Sequence, residues 1–151
     1  MRPQAYATRL GQIWANLHSL EMTLRTFLVL GDERLAIKPG QSFATLAVGD
    51  EVLENPTTDY ATVGQLIDRF NKVVPEARRI DPSLIDLRDA LAHGRVWSID
   101  GSFPLRLLKF DRPQKGIVKV TWAGTLTEEW LDEQRQRVFD ALALAHGGAP
   151  A

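Results

Sequence analysis

The sequence predicts a mainly α-helical fold: a helical bundle of four main helices with a small three-stranded antiparallel β-meander inserted before the last helix. Three observations carry this reading. Leu10, Ile13, Leu17, Leu20, Leu24 and Phe27 recur at alternating intervals of three and four residues, the spacing that lines one face of a helix. Helix-start signals stand at Thr62-Val63-Gly64-Gln65 and at Asp81-Pro82. After Gly94 the helical period gives way to short β-prone runs separated by turn residues.

The first helix carries the Leu10 to Phe27 stripe and is expected to stop at Gly31. A second stripe, Trp14, His18, Glu21 and Arg25, lies about 90° around the same helix and could face a partner or a cleft. Residues 31–59 contain Gly31-Asp32, Pro39-Gly40, Gly49-Asp50 and Asn55-Pro56, so an irregular connection is expected. Thr62 and Gln65 have the spacing of a capping box, and Val63, Leu66, Ile67 and Phe70 follow on one helical face until Pro75. At Asp81-Pro82 a capping carboxylate precedes a proline suited to the first helical position, and Leu84, Leu87 and Leu91 form the buried stripe up to Gly94. The meander is read over about residues 95–122, as runs 95–99, 105–110 and 116–122 with turns at Asp100-Gly101 and Arg112 to Gly116. Thr125 and Glu128 again have capping-box spacing. Trp130, Leu131, Gln134, Val138, Phe139 and Leu142 then extend the last helix to Gly147-Gly148, with a frayed tail at residues 149–151.

A length of 151 residues with 44% apolar and 25% charged residues suits one domain, residues 1–151, able to bury its own core. The formal charge of −1 denies the chain a global basic field, so no duplex-DNA binding is expected and any RNA contact must use a local patch. The absence of cysteine excludes a disulfide framework and a thiol nucleophile. Three histidines without ligand spacing give no metal site, and no glycine-rich loop points to a nucleotide cofactor. No apolar run has the length of a signal peptide or membrane span, so a cytoplasmic, membrane-free protein is expected.

One segment concentrates an arginine, a carboxylate and a histidine at a helix end: Arg88-Asp89-Ala90-Leu91-Ala92-His93-Gly94. In the last helical turn the negative end of the helix dipole favours an imidazolium, and an imidazole can both take and give a proton. Asp89 precedes His93 by four residues, close enough on one face to orient its ring. Arg88 lies about 140° from His93 on an ideal helix. The two converge on one phosphate if the helix loosens before Gly94, or if a second chain supplies one of them. A guanidinium suits two phosphate oxygens at once.

Arg88-Asp89, three intervening residues and His93-Gly94 resemble the signature of the HEPN superfamily, in which an arginine, a polar residue, a short spacer and a histidine share one helix of an α-helical bundle. The Glu-x-x-x-Arg element of Glu21 and Arg25, and the run Thr62, Gly64, Leu66, Ile67, are supporting similarities. The resemblance implies a homodimer whose motif helices face each other across a cleft. In catalytic members it implies metal-independent RNA cleavage. His93 would then be general base or acid on the ribose 2′-hydroxyl or the leaving oxygen, and Arg88 would stabilise charge on the phosphoryl group. Asp89 occupies the polar position where the family often has asparagine. A carboxylate there repels the scissile phosphate unless Arg88 or His93 pairs with it.

Outside the motif, Arg106, Lys109, Arg112, Lys115 and Lys119 give the meander a local basic surplus. Arg25, Arg95, Arg106 and Lys109 are the candidate RNA contacts; edge-strand protection is the plainer account of such charges. Trp14, Trp97, Trp122 and Trp130 serve either base stacking or burial. Two functions follow. One is a metal-independent endoribonuclease of a defence, antiphage or toxin-antitoxin kind, acting as a homodimer through Arg88, Asp89 and His93, with an antitoxin or other protein partner. The other is a non-catalytic dimerisation or partner-binding module built on the same helix end.

Overall fold

The computed structural model describes residues 3–30, 43–98 and 100–147. Four helices, α1 (Pro3–Val29), α2 (Val63–Val73), α3 (Leu84–His93) and α4 (Glu128–His146), enclose the core. A sheet of β1 (Arg95–Trp97), β2 (Leu105–Phe110) and β3 (Val120–Leu126) lies between α3 and α4 in the chain. The sheet is antiparallel in the order β1-β2-β3, so the mainly helical architecture with a meander before the last helix is observed. Among the described residues no helix is long and apolar enough to cross a membrane.

The three-and-four periodicity explains the core. Ile13, Leu17, Leu20 and Leu24 of α1 are buried with Leu66, Ile67 and Phe70 of α2, Leu84 and Leu87 of α3, and Leu131 and Val138 of α4. Helix α1 lies along both α4 and α2, and Arg9 joins α1 to α4 through Glu128 and Asp132. The expected capping box opens α2: the Gln65 amide donates to Thr62 Oγ1 and the Thr62 amide donates to Gln65 Oε1. Helix α3 starts two residues later than Asp81-Pro82 indicates, with Ser83 at its N-cap and Leu84 its first residue; Asp81 instead closes the turn before it, its Oδ1 accepting from the Ser83 amide and its carbonyl from the Leu84 amide. A second, smaller core of Ala90, Leu107 and Leu126 fastens the sheet to α3.

Several boundaries differ from the sequence reading. The third strand runs over Val120–Leu126 rather than 116–122. Lys115 and Gly116 adopt positive φ values of 52° and 80° in a tight turn closed by the Gln114–Ile117 bridge, which removes residues 114–117 from the ladder. Thr125 is therefore a strand residue paired with Arg106, not a helix cap. Thr127 caps α4 instead, accepting from the Trp130 amide. Phe139, expected on the buried face of the last helix, is 48% exposed, while Ala141 and Ala145 face the core. Gly31-Asp32, Pro39-Gly40, Ile99, Gly148 and the tail 149–151 lie outside the described residues. Within the expected irregular connection, the described part contains one short 3₁₀ turn at Phe43–Thr45.

Candidate functional site

Helix α3 keeps its hydrogen bonding to its end, where the Gly94 amide donates to the Ala90 carbonyl. The helix does not loosen before Gly94, yet Arg88, Asp89 and His93 line one cleft of about 300 Å³. The start of α2, with Thr62, Val63 and Gly64, lines the same cleft, as does Ile85 of α3. Gly64 permits this approach: a Cβ there would stand 3.0 Å from Ile85 Cδ1. The capping-box run and the Arg-His segment thus line one cleft. Their adjacency has a sequence signal only in the small residue at position 64.

Gly94 has φ −74° and ψ 168°, values open to any residue, so backbone freedom is not why glycine stands there. A Cβ would collide with the Ala90 carbonyl oxygen and lie 2.6 Å from Leu107 Cδ1. Glycine lets the chain pass directly from α3 into β1 while β2 rests against the helix end. His93 is held at this junction. Its side chain is exposed and makes no hydrogen bond among the described residues.

Asp89 does not orient His93, as the four-residue spacing suggested. Its Oδ1 accepts from Arg88 Nη1 at 3.1 Å and its Oδ2 from Lys109 Nζ at 3.4 Å. Burial opposes ionisation of Asp89, but the hydrogen bond from Arg88 and the charge of Lys109 outweigh it and hold the carboxyl below the usual carboxylate range. One carboxylate is thus shared by two cations, Arg88 in the cleft and Lys109 beside it. Only Nη1 of Arg88 is engaged among the described residues, so most of its fork remains available.

The candidate RNA contacts fall into three settings. Arg25 is 8% exposed, and its donors are taken by Glu21, the Pro56, Asp59 and Ala61 carbonyls, and Asp59 Oδ1. It pins the 55–61 loop to α1, and every one of its donors is engaged within the fold. Lys109 sits on the α3 side of β2 and belongs to Asp89. Arg95 and Arg106 are exposed on the other side of the sheet.

The residues of the second α1 stripe are not among those that line the motif's cleft. Trp14 stacks on His18 with ring centroids 5.6 Å apart, and Glu21 pairs with Arg25. Trp122 and Trp130 meet edge to face at 5.9 Å against the smaller core. Trp97, in contrast, is 53% exposed. Among the described residues no three His, Asp or Glu side chains are grouped closely enough to hold a cation. Comparison of the chain with protein-family models, with curated proteins and with solved structures gives no match.

Proposed function

We propose that this chain is a HEPN-like endoribonuclease that cleaves RNA without a metal ion, as a homodimer, in a defence or toxin-antitoxin setting. The observation that supports it most is the shared cleft. Arg88 and His93 line one depression, and the carboxylate that shares it is paired with Arg88 and Lys109. The repulsion that Asp89 would exert on a phosphate is thereby relieved.

In this reading His93 handles the proton and Arg88 the charge. The ribose 2′-oxygen attacks the adjacent phosphorus as its proton passes to a base. The bond from phosphorus to the 5′-oxygen breaks, and that oxygen receives a proton from an acid. The products are a 2′,3′-cyclic phosphate and a 5′-hydroxyl. His93, exposed and unbonded, is free to act as either base or acid. The Arg88 fork faces the non-bridging oxygens, where charge accumulates in the transition state. A second copy would bring a second imidazole, so that one takes the proton and the other gives it.

The test is incubation of wild-type and His93→Ala protein with mixed-sequence single-stranded RNA in EDTA, followed by analysis of the product ends. Cleavage by wild type alone, leaving cyclic phosphate and 5′-hydroxyl ends, is the expected result. Equal cleavage by both proteins removes His93 from the chemistry.

A second reading, a non-catalytic partner-binding module, is favoured by Gly94. Its packing against Ala90 and Leu107 supplies a structural reason for the His-Gly pair that needs no chemistry. If wild type leaves RNA intact and is harmless on expression, while His93→Ala alters only self-association, the module reading prevails.

A further inference from the structure

The two faces of the sheet differ in kind. Side chains alternate along a strand, so Leu105, Leu107 and Lys109 point toward α3, where Leu107 and Leu126 are buried. The opposite face follows from the register: Arg95 stands across from Leu108, and Trp97 across from Arg106. Arg95 extends over the Phe110 ring, 5.3 Å from its centroid. This face is open. Trp97 is 53% exposed, and Arg95, Arg106, Ala123 and Thr125 are exposed beside it.

Its charge is one-sided. None of the three strands contains Asp or Glu. Residues 94–126 hold six basic and two acidic residues, whereas the rest of the chain holds twelve basic and seventeen acidic. An anionic partner is therefore drawn to the sheet and away from the helical body. A second copy is a poor occupant of the same face. A two-fold pairing sets the same patch against itself, placing arginine near arginine with no strand carboxylate between them.

We propose that the outer face of the β-sheet is a platform that holds single-stranded RNA beside the Arg88–His93 cleft, with Trp97 stacking on a base and Arg95 and Arg106 pairing with phosphates. It deepens the ribonuclease reading above and rests on it for the choice of RNA. Cross-strand neighbours stand about 5 Å apart at Cβ, so Trp97 and Arg106 offer a flat apolar surface and a cation side by side. That combination fits unpaired bases on a charged backbone. Arg95 follows His93 by two residues, a Cα separation of at most about 7 Å. Arg95 thus stands where the outer face meets the α3–β1 junction that carries His93, and a strand leaving the platform there has only that junction to round.

The test is anisotropy of a fluorescent mixed-sequence single-stranded RNA of about twelve nucleotides, titrated in EDTA at several salt concentrations. Working in the His93→Ala background keeps the probe intact. Trp97→Ala is expected to weaken binding about tenfold. The double variant Arg95→Ala/Arg106→Ala is expected to weaken it at every sequence and to reduce the slope of log affinity against log salt by about 1.4. The thermal midpoint should not move in either variant, because these side chains are exposed. Binding that depends on Trp97 supports the platform even if the wild type cleaves nothing, which removes only the ribonuclease reading. Sheet variants that bind as tightly as the parent overturn it, as does a parent that binds no RNA. So does sedimentation showing a dimer that Trp97→Ala dissolves, which makes the face a contact between copies.

Discussion

Two arginine-aspartate clusters in this molecule use the same chemistry to opposite ends. Around Arg25, Glu21, Asp59 and three carbonyls accept from its guanidinium, and the residue is 8% exposed. Around Arg88, one carboxylate accepts from one nitrogen, both side chains are about one-third exposed, and an unbonded histidine lines the same cleft. The first cluster is complete within the fold. The second has hydrogen-bonding capacity left over, and a ligand could use it. Arginine and aspartate at helical spacing therefore say little about function until the unused donors are known.

Substitutions can sharpen that contrast. The largest effect on stability is expected at Arg25→Ala, which takes the shared donor from three half-buried carbonyls and leaves Asp59 with Arg69 and the Ala61 amide alone. Breaking a buried, hydrogen-bonded pair costs about 3–5 kcal/mol, measurable by urea unfolding. Gly94→Ala follows at about 2–3 kcal/mol, because the added methyl collides with the Ala90 carbonyl and Leu107. A thermal midpoint equal to wild type would show that the α3–β1 junction can relax. Thr62→Ala removes half of the capping box and should cost about 1 kcal/mol. Arg88→Ala should change stability by no more than about 0.5 kcal/mol, yet reduce RNA cleavage by about a hundredfold or more. A variant equally stable and equally active would erase the distinction between the clusters.

Acid tests the closed cluster as well. Burial opposes ionisation of Asp59, but the Ala61 amide and the Arg69 and Arg25 guanidiniums outweigh it and hold the carboxyl below the usual carboxylate range. A folded-state value below the unfolded value of about 3.9 means the stabilisation is fully present above about pH 4. It is lost as pH falls through the folded value. Unfolding followed from pH 6 downward should show a smaller loss of stability in Asp59→Asn than in wild type.

The parts of the fold legible in the sequence were those set by local period and local caps. The Ile13 to Leu24 stripe, the Val63 to Phe70 face and the Thr62–Gln65 box concern residues within one turn of each other, and the structure has them where the pattern indicates. Choices between equivalent local signals were not legible. Thr125 and Thr127 offer competing frames for a cap. The strand pairing of Thr125 with Arg106, a long-range contact, decides in favour of Thr127. Phe139 and Ala141 compete for the inward side of α4, and close packing along α1 selects the smaller residue.

The candidate site divides in the same way. The placement of Arg88 and His93 near a helix end was visible in Gly94, whereas Asp81-Pro82 marked a start two residues ahead of the one observed. That they share a cleft with Thr62 and Gly64 depends on the packing of α2 on α3, which no spacing reveals. The partners of Arg25 and Lys109 were not legible for one reason: charge in a sequence carries no record of what it pairs with. Lys109 shares the inward parity of Leu105 and Leu107 on β2, and that parity was the available signal that it turns toward Asp89.

The most direct measurement of whether the open cluster is the working one is RNA cleavage in EDTA and the unfolding midpoint, taken on the same preparations of wild type and His93→Ala. Wild-type cleavage that disappears in the variant while the midpoint stays within experimental error is the predicted result. Undiminished cleavage by a fully folded His93→Ala protein would contradict it.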